Sequence, residues 1–362
     1  MIRPVLYVDL PGIIYAINRR AGGRQYMLAN FICWLEPVEI ALSPPLFLRS
    51  ILPIHPAVRT WICEDHWRLL GFAQIRERPA HTTWDISYLA SMNARDFSSL
   101  TGEDVLHALL EYALEMAAMH GILRIFAKLE DEIPELELFQ RAGFQRYARE
   151  LTYVYDPVEH APQETAVSRS SLSTEPAIPS LRRWSRHHVW GLYQLYRAVT
   201  PQRVQTAELF EDSEEYARLQ VGSLQPLPSF FARGSENYIC DVGVRVGAWL
   251  RLSRGSGSTP HRISLIVHPE HAELAEPLLR FAIDRLLAYD VRRIYCLVRE
   301  YDSFVTTALR NSGFEQTSTR VLLVRHVALL AMRQSTVPLL EQRVVYGLKG
   351  LGTVTSRQKS MR

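Results

Sequence analysis

Apolar side chains recur along the chain with a helical period in two places. Between Leu106 and Met119 they stand three and four positions apart, and between Leu278 and Leu287 the same spacing returns. This period predicts two amphipathic helices, each with one face packed on the protein interior. The positions on these faces are Leu106, Leu109, Leu110, Ala113, Leu114 and Ala117 in the first helix, and Leu278, Leu279, Ala282, Ile283, Leu286 and Leu287 in the second.

Short apolar runs on either side of each helix predict strands. A strand, a helix and a second strand in this order form a right-handed crossover between parallel strands, here within a mixed sheet. The strands before the helices are Trp84–Ser91 and Arg262–His268, and those after them are Arg124–Leu129 and Arg293–Val298.

The chain repeats itself. Five segments of the first half return in the second half in the same order, shifted by 169 to 177 positions. Five matches in register predict two copies of one domain. Each copy also has a predicted helix near its start, at Pro11–Arg20 and at Val189–Val199. The matching segments are Trp61–Glu64 with Tyr238–Asp241, Leu70–Ile75 with Val246–Arg251, Ile86–Ala90 with Ile263–Val267, Arg124–Leu129 with Arg293–Val298, and Gly143–Phe144 with Gly313–Phe314.

A connector of different composition separates the two copies. Residues 157–179 contain four prolines and no aromatic residue, a composition typical of a flexible linker. The predicted organisation of the 362 residues is therefore a first domain over 1–156, the linker, a second domain over 180–330 and a basic tail over 331–362.

Composition excludes several classes of protein. An apolar content of 47% is too high for a disordered chain, and no uncharged run reaches the length of a membrane span. Four scattered cysteines without a CxxC pair do not indicate a disulfide scaffold. The first residues also lack the pattern of a secretory signal. We therefore expect a cytoplasmic protein that makes no contact with a membrane.

The positive charge is concentrated in the tail. The formal net charge of +3 divides into +5 on residues 331–362 and −2 on residues 1–330. A short basic tail with a single aromatic residue is typical of a loose chain end, so a nucleic-acid partner is not expected. His268 and His271 are read as solvated residues, because no third ligand follows at the spacing of a zinc motif. No metal is therefore expected.

The order of elements resembles the GNAT superfamily of N-acetyltransferases. The resemblance is carried by the amphipathic helix, by the Arg-Ile-Phe or Arg-Ile-Tyr strand after it, and by the Gly-Phe step before the final strand. It covers both copies. It implies two tandem GNAT-like acyl-CoA N-acyltransferase domains. Each would be an α/β domain with a central mixed sheet. It also implies acetyl-CoA as a substrate and an amine, whose identity the sequence does not reveal, as the acceptor.

The resemblance also implies where coenzyme A would bind. In that family the pantetheine arm pairs like an extra strand with the exposed edge of the third-strand segment. This edge corresponds to Leu89, Ala90 and Ser91 in the first copy and to Ile266 and Val267 in the second.

The family binds the pyrophosphate at a glycine-rich turn before the amphipathic helix. The matching positions are Thr101 and Gly102 in the first copy and Ala275 in the second. Thr101 also reads as the start of a capping box with Asp104, which needs no ligand. In the second copy three carboxylates stand where phosphates would bind and would repel them, at Glu270, Glu273 and Glu276.

Candidate catalytic groups are sparse. Asp85 opens the third strand of the first copy and is the candidate base, with an arginine-paired strand-end residue as the alternative. Its counterpart in the second copy is Arg262, which cannot act as a base. The tyrosine that often protonates the leaving thiolate in the family is replaced by Phe139 and Leu309.

Two hypotheses follow. The first is an acetyl-CoA-dependent N-acetyltransferase that acts on a primary amine, with any activity in the first domain. The second is a non-catalytic tandem GNAT-fold protein that serves as a binding partner, a scaffold or a sensor of acyl-CoA. The sequence does not reveal the oligomeric state.

Overall fold

Both copies contribute to one mixed sheet of 13 strands, with helices on both of its faces. The computed structural model describes residues 1–9, 28–34, 58–66, 68–78, 82–92, 101–159, 180–210, 216, 234–256 and 260–327. The predicted helix Pro11–Arg20, residues 160–179 of the predicted linker and the predicted tail lie outside these residues. We call residues 1–156 the first repeat and residues 180–330 the second repeat; these boundaries stay predictions.

The described part of the first repeat consists of short antiparallel strands followed by a crossover through a long helix. Its elements are β1 (Ile2–Pro4), β2 (Leu28–Trp34), β3 (Val58–Asp65), β4 (Arg68–Glu77), β5 (Thr83–Met92), α1 (Gly102–Met119), β6 (Arg124–Glu130), α2 (Leu136–Arg141) and β7 (Gln145–Tyr155), with a 3-10 turn at Tyr7–Asp9.

The described part of the second repeat follows a closely similar order. Its elements are β8 (Leu181–Arg183), α3 (Val189–Val199), α4 (Gln202–Glu208), β9 (Ser235–Val242), β10 (Arg245–Ser253), β11 (His261–Val267), α5 (Ala275–Leu287), β12 (Ile294–Arg299), α6 (Ser303–Asn311) and β13 (Glu315–His326), with 3-10 turns at Arg186–His188 and Pro269–Leu274.

The two predicted amphipathic helices are confirmed, and so is the predicted helix Val189–Val199, which is α3. Each amphipathic helix begins three or four residues before its predicted start, because the first helical turn is mostly polar and carries a single buried apolar residue, Val105 in α1 and Ala275 in α5. The apolar face of α1 is buried against β4 and β5, and that of α5 is buried against β10 and β11. Only Ile283 and Leu287 of the predicted faces are partly exposed. The helices α3 and α4 cover the opposite face of the sheet.

The two repeats exchange their last strands. The strand order is β1-β3-β4-β5-β6-β13-β7-β12-β11-β10-β9-β8, and β2 pairs with β5 outside this path. The last strand of the second repeat, β13, therefore pairs with β6 of the first repeat over Arg320–His326. In the same way β7 of the first repeat pairs with β12 of the second over Glu150–Tyr155. The two exchanged strands also pair with each other.

A buried carboxylate lies at the centre of this exchange. Glu150 in β7 is the register partner of Arg320 in β13 and of Arg299 in β12. Its Oε1 accepts a hydrogen bond from Nη2 of Arg320 at 2.6 Å, and Nζ of Lys128 lies 3.1 Å from its Oε2. Arg320 is fully buried and Glu150 is 5% exposed. We call Lys128, Glu150, Arg299 and Arg320 the seam cluster.

The seam cluster joins the repeats electrostatically. Burial alone would raise the pKa of the Glu150 carboxyl, but the charges of Lys128, Arg320 and Arg299 outweigh it and hold the pKa well below its usual range. Burial also lowers the pKa of the Lys128 ammonium, against the opposing effect of Glu150. The free energy of each ion therefore depends on its partners from the other strands.

We predict that Glu150→Gln lowers the free energy of unfolding by about 3–5 kcal/mol, because it leaves the buried Arg320 and the partly buried Lys128 without their counter-charge. Urea unfolding of the full chain, followed by far-UV circular dichroism, measures this. Because the folded pKa of Glu150 is depressed, its stabilisation is complete above the unfolded value of 4.5 and is lost as the pH falls through the folded value. The variant should therefore lose less stability than the natural chain on acidification.

The matched control is Glu103→Gln, which removes an exposed pairing with Arg141. It should change the unfolding free energy by less than about 1 kcal/mol. Equal stability of Glu150→Gln and the natural chain would contradict the role assigned to the seam cluster.

Candidate functional site

In each repeat a pair of parallel strands separates after three residue pairs. In the first repeat β5 pairs with β6 at Thr83–Asp85, and in the second β11 pairs with β12 at His261–Ile263. Beyond these pairs, β5 continues without pairing with β6, and β11 continues without pairing with β12. We call the resulting openings the first gap and the second gap. The resemblance to the GNAT superfamily places the pantetheine arm at such an opening.

The first gap is occupied by a strand of the chain itself. β2 pairs antiparallel with β5, and its register partners are the predicted pantetheine-binding residues: Asn30 with Ser91, Phe31 with Ala90, and Cys33 with Leu89. The predicted edge is therefore brought to the gap, but its free side is paired with β2. A ligand that used this edge would have to displace β2.

Thr101 and Gly102 begin α1 at the end of the first gap. Thr101 Oγ1 accepts a hydrogen bond from the Asp104 amide at 3.2 Å, and the Thr101 amide donates to Asp104 Oδ2 at 2.8 Å. The capping box considered from the sequence is therefore present. A Cβ atom on Gly102 would lie 3.0 Å from Oγ of Ser91, so glycine allows the helix to approach β5 closely. The role of both residues in binding pyrophosphate stays a prediction.

Asp85, the candidate base, is buried and paired with an arginine. Arg78 donates from Nε to Oδ2 at 2.9 Å and from Nη2 to Oδ1 at 2.7 Å. The guanidinium carbon of Arg78 also lies 3.9 Å from the centre of the Phe126 ring. Burial would lower the pKa of Arg78, but the charge and hydrogen bonds of Asp85 raise it overall. This is the arginine-paired alternative that the sequence left open, and both carboxylate oxygens are engaged.

The second gap has a free edge. Within the described residues no strand pairs with Ser264–Val267 on the side that faces β12. Of the predicted binding residues, Ile266 packs towards α3, whereas Val267 and Ala275 are buried in the core beneath α5. The backbone of β11 therefore offers unpaired amide and carbonyl groups at the position that the resemblance implies for pantetheine.

The turn between β11 and α5 is formed by its own hydrogen bonds. His268 Nδ1 accepts from the Glu270 amide at 3.2 Å, and the His271 amide donates to the His268 carbonyl at 2.8 Å. The side chains of Glu270 and Glu273 are largely exposed to solvent. The amides of Glu270 and His271 are thus already used, and carboxylates surround them. This turn does not fit a pyrophosphate in the way that a glycine-rich turn does.

A polar cluster lies at the carboxyl end of β12, on the face covered by α3 and α4. Arg299 Nη2 donates to Glu208 Oε1 at 3.0 Å, and the Tyr196 hydroxyl donates to Glu208 Oε2 at 2.9 Å. The rings of Tyr196 and Tyr216 lie 4.4 Å apart between centroids. We call the whole set the β12 cluster; its members are Tyr196, Glu208, Tyr216, Arg299, Tyr301 and Asp302.

Asp302 is a carboxylate of the β12 cluster that forms no ion pair within the described residues, whereas Glu208 pairs directly with Arg299. It stands at the N-cap of α6, yet its side chain makes no capping hydrogen bond. Burial raises the pKa of its carboxyl to about 7, although Arg299 acts in the opposite direction. Burial likewise raises the pKa of Tyr301 to about 12.

The sequence identified only part of these arrangements. Asp302 lies four residues after the strand predicted at Arg293–Val298, and no local pattern marks it as a functional residue. Glu208, which pairs with Arg299, and Tyr216 come from segments about 90 positions earlier, and no local pattern in them points to β12. The predicted site residues of the two repeats lie at two separate gaps and do not form one site.

Comparison with known proteins identifies the fold. No protein-family model and no curated protein matches this sequence. A solved tandem GNAT protein from the clavulanic acid biosynthesis pathway, without AcCoA, is 17% identical; the match covers 90% of this chain and 98% of that chain with a TM-score of 0.56. A GCN5-related N-acetyltransferase from Sphaerobacter thermophilus is 13% identical, with 90% and 95% covered and a TM-score of 0.55.

These likenesses confirm the predicted tandem GNAT-like fold, which is an α/β fold with a mixed sheet. At such low identity they concern the fold alone. Within the described ranges, no helix combines the length and the apolar content needed to cross a membrane.

We predict that Asp85→Asn lowers the free energy of unfolding by about 3–5 kcal/mol, because it leaves the largely buried Arg78 without its counter-charge. Thermal unfolding of the full chain measures this, with Asp65→Asn, an exposed position, as the control. Unchanged stability of Asp85→Asn together with loss of acetyl transfer would contradict a structural role and support Asp85 as a base.

Proposed function

We propose that this chain is an acyl-CoA-dependent N-acyltransferase that transfers acetyl to a primary amine, and that the donor enters the second gap. The observation that carries this proposal is the edge of Ser264–Val267, which no strand in the described ranges pairs on the side of the gap, beside a pair of diverging parallel strands. Main-chain groups on such an edge bind an extended ligand as an added strand would. The two amides of pantetheine are suited to this pairing.

The separation of the strands also leaves backbone groups of β11 in position to act on the thioester. Beyond Ile263, the backbone of β11 on the side of the gap is not used by β12. An amide donor at this position could stabilise the negative charge that develops on the thioester oxygen during attack by the amine. The amine would approach from the face covered by α3 and α4, where the β12 cluster lies.

The sequence favoured the first repeat as the active one, whereas the geometry of the described residues favours the second. In the first gap β2 is paired along the predicted edge, and Asp85 is held by Arg78. The first repeat would accept the donor only after β2 had left β5.

A non-catalytic acyl-CoA-binding protein is the second candidate function. It is favoured by the residues where the family often has a tyrosine that protonates the thiolate. Phe139 and Leu309 occupy these positions, and both are fully buried in their cores. Neither can donate a proton, so a thiolate would have to take its proton from water.

The first test is binding of acetyl-CoA to the full chain by calorimetry, combined with hydrogen exchange read by mass spectrometry. We expect slower exchange at Ser264–Val267 on addition of the ligand and no change at Leu89–Met92. Protection confined to Leu89–Met92 would instead place the donor in the first gap.

The same samples separate the two candidate functions. Release of free thiol in the presence of a panel of primary amines supports the transferase. Binding without thiol release supports the non-catalytic protein, and no binding at millimolar acetyl-CoA would overturn both.

The acidic turn makes an independent prediction. Replacing Glu270 and Glu273 by glutamine should tighten acetyl-CoA binding by about two- to fivefold per charge removed, because carboxylates near the start of α5 repel the pyrophosphate. Dephospho-CoA and pantetheine serve as controls, and pantetheine should show no gain. Weaker binding of acetyl-CoA by the double variant would contradict this account of the turn.

A further inference from the structure

The second gap lies between β11 and β12, and each of these strands has one set of side chains on the sheet face covered by α5 and another set on the face covered by α3 and α4. In β11 the residues Ile263, Leu265 and Val267 point into the core beneath α5, so Ser264 and Ile266 face α3. In β12 the residues Cys296 and Val298 point into the same core, so Leu297 and Arg299 face α3 and α4. The β12 cluster therefore lies at the rim of the gap, on the face opposite the core of α5.

Two polar atoms in this cluster are buried without a partner among the described residues. They are the hydroxyl oxygen of Tyr216, whose side chain is 1% exposed, and Nη1 of Arg299. Because buried polar atoms almost always have a hydrogen-bond partner, these two atoms are open to a polar ligand. The hydroxyl of Tyr216 can accept from an ammonium group, and Nη1 of Arg299 can donate to an oxygen.

Of the two carboxylates in the cluster, Glu208 is paired with a cation and Asp302 can still accept a proton. Glu208 is neutralised by Arg299 and also accepts from Tyr196. Within the described residues the carboxylate of Asp302 accepts no hydrogen bond, and it does not cap its own helix. Asp302 is only partly buried, so a substrate can reach it.

We propose that Asp302 accepts the proton of the attacking amine and that Tyr216 and Arg299 complete the acceptor end of the second gap. This inference rests on the proposed function. It also defines the acceptor as an aliphatic primary amine that arrives as an ammonium ion.

The step balances without a further reactant. The ammonium nitrogen gives one proton to the Asp302 carboxylate and becomes nucleophilic. It then attacks the thioester carbonyl carbon, the new C–N bond forms and the C–S bond breaks. The second proton of the nitrogen leaves with the thiolate as thiol, either directly or through water. Asp302 returns its proton to solvent, so one ammonium ion and one acyl thioester yield one amide, one thiol and one proton.

The environment of Asp302 is suited to this role near neutral pH. Burial destabilises its ionised form, and the charged or titratable groups that act on it are Arg299 from β12 and the hydroxyls of Tyr216 and Tyr301. Of these only Arg299 is a cation. A carboxyl that titrates near the working pH is an efficient proton acceptor.

The test compares Asp302→Asn with the natural chain in thiol release from acetyl-CoA across a panel of aliphatic amines, as a function of pH. We expect kcat/KM to fall by about 100-fold or more at pH 7. The rise of activity through pH 7 should also disappear, while acetyl-CoA affinity measured by calorimetry stays within twofold. Asp302→Glu should restore part of the rate together with the pH dependence, which a purely structural role would not produce.

Glu300→Gln is the matched control, since Glu300 is an exposed neighbour in the same turn. It should leave both rate and pH dependence unchanged. If Asp302→Asn turns over at the natural rate with the natural pH dependence, this assignment is overturned and the proposed function stands. If neither protein binds acetyl-CoA, or the natural chain binds it without turnover, both are overturned.

Discussion

The carboxylate of Glu150 lies between a lysine of the first repeat and arginines of the second, where the repeats exchange their last strands. A carboxylate buried this deeply persists only with its partners in place. Because those partners come from β6, β12 and β13, one residue depends on strands of both repeats. The exchange also means that β6 and β12, the outer walls of the two gaps, each pair with a strand of the other repeat. The outer wall of each gap is therefore paired with a strand that is distant in sequence.

The two gaps share a backbone plan but differ in what fills them. β2 pairs along the first gap, whereas the described residues leave the edge of the second gap free. Glu208 connects the two repeats at this point. Its backbone carbonyl accepts from Arg124 of the first repeat at 2.6 Å, and its carboxylate accepts from Arg299 beside the second gap. The position of the β12 cluster is thus set in part by the repeat that does not contain it.

Periodicity in the sequence predicted the amphipathic helices, the repeat and the helix Val189–Val199, because each leaves a local pattern. The exchange could not be predicted, since β7 and β13 occupy equivalent positions and nothing in either strand specifies which β-neighbour it joins. The pairing of Asp85 with an arginine was considered only as an alternative, and geometry was needed to identify that arginine as Arg78. The β12 cluster was missed because Glu208 reaches Arg299 only through the packing of α4 on the sheet.

The central claim is that the second gap, rather than the first, holds the acyl donor. An experimental structure of the full chain with acetyl-CoA bound tests it most directly. The account predicts that the pantetheine amides lie about 2.7–3.2 Å from backbone groups of Ser264–Val267, with the thioester near Arg299 and Asp302. Pantetheine bound along Leu89–Ser91, with β2 displaced from β5, would contradict it.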